Sequence, residues 1–379
     1  MKNFDTGCVH PLKSELYNSA VTAGIQPAVS YEYIGHDNLQ YPGFYSTYNQ
    51  QRLGQIICNM EQGTWGMVFS SGMAAISTAI LSFLNNGAHI IFSKDLYGGT
   101  LKFANEELPK RGIACSFAGD VEGFKNLIRS NTKIMYIETP SNPLLNILPL
   151  EEIADVAKTN NIITIIDNTF ASPINQLPLL HGFDIVVHSG TKYLGGHNDL
   201  PYGALVSGSH DNKEVIFDTA KMYGGSLTPY ECYLAERSLK TLSLRIKKQN
   251  GNAFVIAEYL KGHASVESVY YPGLSAHPQH NIAKQQMSGF GGMLSFELKT
   301  GVESITAFQQ KLQLVRPALS LGGVESLMCA PAVTSHRYLS KEERLAIGIK
   351  DNLLRLSVGI EDANDIIEDM QQAMRQVSL

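Results

Sequence analysis

The stretch Val186-Val187-His188-Ser189-Gly190-Thr191-Lys192-Tyr193-Leu194-Gly195-Gly196-His197 decides how this chain is read. An apolar strand ending at Val187 runs into two hydroxyl residues, a lysine and paired glycines. The end of a strand presents an amine at the mouth of a sheet, beside small hydrogen-bond donors. That setting suits a lysine that bonds covalently to a carbonyl group. Taken alone, the run fits equally a solvated lysine after a strand.

The preceding apolar run, Ile162-Ile163-Thr164-Ile165-Ile166, ends in Asp167. A buried carboxylate facing a pyridine nitrogen keeps that nitrogen protonated, and the ring then draws electrons from a bound substrate. Asp167 by itself also reads as a helix N-cap. An aspartate and a lysine at the ends of two apolar strands together point to pyridoxal phosphate (PLP). Lys192 would take its aldehyde, and Ser189 and Thr191 its phosphate. Ser71-Gly72-Met73 precedes a run with helical spacing at Ile76, Ile80, Phe83 and Leu84. Backbone N–H groups at such a helix start bind phosphate, and Gly72 permits close approach.

Outward from these residues, strand-like runs at 66–69, 89–92, 133–137, 162–166, 185–187 and 204–207 alternate with helical runs such as 74–84 and 150–158. The alternation predicts an α/β fold with a mostly parallel sheet covered on both faces. Tyr97, Asn142, Asp167 and Lys192 all follow strands, where such sheets bind ligands. Beyond Leu239, long helices near 253–261 and 302–314 mix with short strands at 292–297 and 353–357. The expected division is an irregular arm over 1–45, an α/β domain over 46–238 and a smaller α+β domain over 239–379.

At 379 residues, more than one core is expected. The formal net charge is -5, and no basic run or basic–aromatic patch occurs, which argues against nucleic acid. No apolar stretch reaches membrane-spanning length, and residues 1–6 lack a signal-peptide core. The five cysteines are scattered without metal-site spacing. Reduced thiols, no metal and a cytoplasmic location follow as expectations.

Further segments complete a pattern that resembles the Cys/Met-metabolism group of PLP enzymes, which includes cystathionine and methionine lyases and homoserine-ester sulfhydrylases. They are Phe69-Ser70-Ser71-Gly72-Met73-Ala74-Ala75-Ile76, Asp95-Leu96-Tyr97-Gly98-Gly99-Thr100, Glu138-Thr139-Pro140-Ser141-Asn142-Pro143, Leu239-Lys240-Thr241-Leu242, Tyr271-Pro272-Gly273-Leu274, His277-Pro278-Gln279-His280 and Arg355-Leu356-Ser357-Val358-Gly359-Ile360-Glu361. The resemblance implies the type I, aspartate aminotransferase-like fold. It implies that Tyr97 stacks on the cofactor ring and moves a proton at the leaving group. It places Asn142 on the ring oxygen, Gly72 and Met73 on the phosphate, and Arg355, helped by Ser320, on the substrate α-carboxylate. It also implies an arm that reaches a neighbouring subunit within a homotetramer built from two dimers.

The chain departs from that group in four places. Tyr41 matches the arm tyrosine that reaches a neighbour's phosphate, but Gly43 stands where an arginine belongs. Tyr202 replaces a small aliphatic residue near the lysine. Leu319, before Ser320, lacks the acid of cystathionine gamma-lyases and leans toward an apolar γ-substituent. Gly99 stands where methionine lyases tend to carry cysteine. The reading is β/γ-elimination on a sulfur amino acid or homoserine derivative, with catalysis by Lys192, Tyr97 and Asp167. The alternatives are γ-replacement and a PLP-binding protein with little catalysis.

Overall fold

A computed structural model describes residues 3–12, 21–337 and 339–377. Its larger sheet has seven strands: β1 (Trp65–Phe69), β2 (His89–Ser93), β3 (Ala114–Ala118), β4 (Thr132–Glu138), β5 (Ile163–Asp167), β6 (Ile185–Ser189) and β7 (Gly203–Ser207). Their order across the sheet is β1-β7-β6-β5-β4-β2-β3. β7 runs antiparallel to β1 and β6, and the other neighbours are parallel. β2 and β7 are buried at every position, as strands covered on both faces are.

Two features of this sheet were not legible in the sequence. β3 reads Ala-Cys-Ser-Phe-Ala, without a β-branched residue, and its pairing with β2 makes it a strand. β7 reverses direction because residues 190–202 form the lysine turn and supply no crossover helix. Without a crossover, the returning strand lies antiparallel.

The helix expected over 74–84 runs Gly72–Leu81, because Ser71 caps it: the Ser71 hydroxyl accepts the Ala74 N–H at 3.1 Å. The helix expected near 253–261 runs Leu242–Lys261. Its Leu242 and Ile246 pack with Tyr193, Tyr202 and Ala204, whereas Ala253, Ile256 and Leu260 pack with Phe296 and Met370. One helix thus joins two cores across the boundary placed at residue 239.

The second sheet contains β8 (Val266–Tyr270), β9 (Met293–Leu298), β10 (Arg316–Pro317), β11 (Leu327–Cys329) and β12 (Leu353–Ser357), in the order β10-β11-β12-β9-β8. β10 and β11 are parallel, and the other pairs are antiparallel. The arm is less irregular than expected. Phe4–Val9 is a helix held to the helix Leu242–Lys261 by the Lys247–Asp5 ion pair at 2.6 Å. Among the described residues, no helix is long and apolar enough to cross a membrane.

Candidate active site

β6 delivers the chain into a turn closed by its own backbone. The Lys192 N–H donates to Ser189 O at 3.1 Å, Gly195 N–H to Gly190 O at 2.7 Å and Gly196 N–H to Lys192 O at 2.7 Å. Arg245 braces the far side, donating from Nη1 to Tyr193 O at 2.8 Å and from Nη2 to Ser238 O at 3.0 Å. Its guanidinium occupies the space a Cβ on Gly196 would need, which with φ +73° explains that glycine. Tyr202 is fully buried and its ring fills the space beside Gly190. The bulk noted there in the sequence therefore supports the turn.

On this turn the Lys192 Nζ donates to Ser320 Oγ at 2.8 Å. Burial, reinforced by the charge of Arg355, lowers the amine from an ordinary 10.5 to about 8. About a tenth of the amine is then free base at pH 7, far more than for an ordinary lysine, and this is the form that attacks a carbonyl. Ser320 holds a left-handed φ of +79°, unusual for a residue with a side chain. That conformation turns its hydroxyl to Lys192 and its carbonyl to Arg355.

Arg355 lies on β12 and is 6% exposed. Its Nη1 donates to Asn142 Oδ1 at 2.9 Å and its Nη2 to Ser320 O at 2.9 Å. Its Nε is buried with no partner, and among the described residues no carboxylate pairs with it. A buried, unmatched guanidinium is costly unless an anion joins it. Three of its five N–H donors remain for that anion.

Asp167 closes β5 and is buried. Its Oδ1 accepts the Thr169 N–H at 3.0 Å, and Tyr136 donates its hydroxyl to Oδ2 at 3.5 Å. Burial pushes the carboxyl above its usual range, while the Thr169 hydrogen bonds and the charge of His188 pull it back.

A Cβ on Gly72 would lie 2.8 Å from Ser189 Cβ, so only glycine lets the helix start approach β6 this closely. The Gly72 and Met73 N–H groups open that helix without intrahelical partners. The Ser189 hydroxyl has no partner among the described residues. The Ser71 and Thr191 hydroxyls have partners within the chain. The Ser71 hydroxyl caps the helix. Thr191 Oγ1 accepts the Tyr202 N–H at 3.1 Å and donates to Tyr202 O at 3.4 Å, so it braces the turn.

Tyr97 precedes the helix Gly98–Lys102, and its ring is half exposed. A Cβ on Gly99 would lie 2.5 Å from the Tyr97 ring and 3.2 Å from Met73 Sδ. This crowding explains the glycine and shows that the Tyr97 ring and the Met73 side chain lie on the same side of it. Leu319 is 64% exposed and, with Leu200, Pro201, Ala318 and Leu327, lines a cavity of about 490 Å³ that also meets Thr191, Asp199 and Ser320. Tyr41 is not brought to this chain's site. Its N–H is bound by Ser46 Oγ at 3.0 Å and its exposed ring meets Phe44 edge-on.

Three buried polar groups escaped the sequence reading. His188 Nε2 lies 2.6 Å from Glu61 Oε1, which also accepts from Asn168 Nδ2 at 2.9 Å. Arg245 and Glu138 are the others. A histidine inside an apolar strand was the available signal for the first.

The free amine, the glycine-lined cradle with open N–H donors, the buried carboxylate and the orphaned Arg355 Nε together fit PLP and an amino-acid carboxylate. The family model of Cys/Met metabolism PLP-dependent enzymes matches residues 5–375. A cystathionine gamma-lyase of Bacillus subtilis (strain 168) is 43% identical over 353 residues, covering 88% of this chain and 93% of its own. A cystathionine beta-lyase of Lactococcus lactis subsp. cremoris (strain MG1363) is 44% identical, covering 86% of this chain and 85% of its own. The crystal structure of a cystathionine gamma synthase from Xanthomonas oryzae pv. oryzae, in complex with aminoacrylate and cysteine, superposes with a TM-score of 0.94 at 36% identity, over 99% and 98% of the two chains. This chain belongs to the Cys/Met-metabolism family of PLP-dependent enzymes.

Proposed function

We propose that this enzyme eliminates the β- or γ-substituent of a sulfur amino acid or homoserine derivative, releasing a 2-oxo acid and ammonia. The observation that carries the reading is the Lys192 amine, lowered to about 8 and held by Ser320, beside an Arg355 that lacks an anion. When bound, PLP supplies a carbonyl carbon for an amine and an electron-withdrawing ring. Arg355 takes the substrate carboxylate through two parallel N–H donors and sets the α C–H bond upright to the ring. Lys192, once free, moves protons between the α carbon and its neighbour. Asp167 holds negative charge opposite the ring nitrogen. The Tyr97 hydroxyl delivers a proton to the departing sulfur or oxygen. Gly72, Met73 and Ser189 hold the phosphate, with Asn142 at the ring oxygen. Leu319 and its apolar neighbours receive the distal part of the substrate.

Replacement is the second reading. The cavity beside Ser320 leaves room for an incoming thiol, and the solved relative named above is a synthase.

The arm supports assembly. Val21, Val29, Tyr33, Ile34, Leu39 and Tyr41 are all exposed, an apolar strip that a neighbouring subunit would cover. We infer a homotetramer of two dimers in which Tyr41 reaches a neighbour's phosphate.

The test measures 2-oxo acid release from L-methionine, L-cystathionine, L-cysteine, O-acetylhomoserine and O-succinylhomoserine, each with and without a thiol. Release without thiol is expected. Suppression by thiol, with a new thioether, would establish replacement. Silence across the panel overturns both readings, and turnover surviving in Lys192→Ala would overturn the role of the lysine.

A further inference from the structure

Glu138 ends β4 directly beside Asp167 at the end of β5, as register partners on parallel strands. Adjacent strands put their Cα atoms about 5 Å apart. Glu138 is 4% exposed and Asp167 6%. Two carboxylates this close and this buried do not both ionise, because each charge lacks water and repels the other. Their surroundings break the tie. Asp167 receives the Thr169 N–H at 3.0 Å and the Tyr136 hydroxyl at 3.5 Å. Glu138 accepts one N–H, that of Tyr97, on Oε2 at 2.7 Å.

We propose that Glu138 is a positioning residue that keeps its proton, holding the Tyr97 backbone as a neutral acceptor and leaving Asp167 as the one negative charge at these strand ends. The inference rests on the PLP-site reading above, in which Tyr97 and Asp167 face the ring.

Of the other groups around Glu138, the acids act in the same sense and one cation opposes them. Asp167 faces it from β5 and Asp95 from the segment after β2, and both disfavour a third charge. Tyr136, on its own strand, is neutral because burial pushes its hydroxyl well up. Lys94, from the segment after β2, is the cation lining the same cavity. Burial drives the Glu138 carboxyl well above its usual range, with Asp167 adding to the shift. Glu138 lines that cavity of about 390 Å³ with Ser93, Ser141, Asn146 and Gln279. A polar space of this size holds water, which gives a carboxylic O–H its acceptor. Ser93 Oγ accepts the Glu138 N–H at 3.0 Å and fixes the residue in place.

A glutamine copies a protonated glutamate in shape, charge and acceptor, whereas an alanine is neutral but copies neither the shape nor the acceptor. The test compares wild type, Glu138→Gln and Glu138→Ala as holoenzymes, following the bound-cofactor absorbance against pH, the cofactor dissociation constant and kcat/KM. Glu138→Gln is expected to stay within about twofold of wild type on every measure, whereas Glu138→Ala loses about 100-fold in kcat/KM through a displaced Tyr97. A difference infrared spectrum, wild type minus Glu138→Gln, is expected to show the carbonyl stretch of a protonated carboxyl near neutral pH. A carboxylate band instead, or a glutamine variant as damaged as the alanine one with a shifted absorbance titration, overturns the proposal. So does an alanine variant equal to wild type. If wild type itself shows no cofactor band that Lys192→Ala removes, the parent reading fails and takes this inference with it.

Discussion

Ser320 stands between the two charged groups on which the chemistry depends, its hydroxyl on Lys192 and its carbonyl on Arg355. Ser320→Ala should weaken the hold on the amine and lower kcat/KM about tenfold, with a smaller change in cofactor affinity. Steady-state kinetics and a cofactor titration check this. The lysine also leaves a signature in stability. Its folded value of about 8 lies below the ordinary 10.5, so between those values the unfolded chain binds more protons than the native one. Stability therefore rises with pH across that window. Urea midpoints of cofactor-free protein between pH 8 and 10 are expected to climb more steeply in wild type than in Lys192→Met. Equal slopes would show that the amine is not held back from its charge. At this scale the sequence singled out Lys192 and Asp167 by residue type and place, and Arg355 through the family resemblance. The partnering of Thr191 was not legible, because its acceptor and donor belong to Tyr202, eleven positions away across the turn.

Elements decide how closely the groups converge. The start of the helix Gly72–Leu81 sits against Ser189 because residue 72 has no Cβ. Gly72→Ala forces helix and strand apart. It is expected to weaken cofactor binding about tenfold, equivalent to about 1.4 kcal/mol, by equilibrium titration. The end of the helix Tyr48–Met60 is tied to β6 by the buried Glu61–His188 contact. His188→Ala strands Glu61 in the core and should cost about 3 kcal/mol in urea unfolding. A loss under about 1 kcal/mol would show the contact to be idle. The alternation of strands and helices was readable from apolar runs and their spacing. The antiparallel β7 and the weakly patterned β3 were not, since strand direction and an edge assignment come from the neighbour each strand meets.

At the scale of the whole molecule, the Lys192–Ser320 hydrogen bond spans 128 positions and the Arg355–Asn142 bond 213. Each joins the large sheet to the second, so the site exists only when both halves are docked. In the proposed tetramer the arm would extend the same logic between copies. Removal of residues 1–41 is expected to leave a smaller species in light scattering with weakened cofactor binding. An unchanged tetramer would separate the arm from assembly. The sequence by itself determined which chemical groups stand at the ends of which strands, because short apolar runs and turn residues are local signals. Only the tertiary structure decided which hydroxyl is free and which is spent, how far Lys192 is held from its charge, and that Glu138 lies beside Asp167. Those outcomes depend on burial and on partners brought together from distant parts of the chain, and no local stretch of sequence contains them.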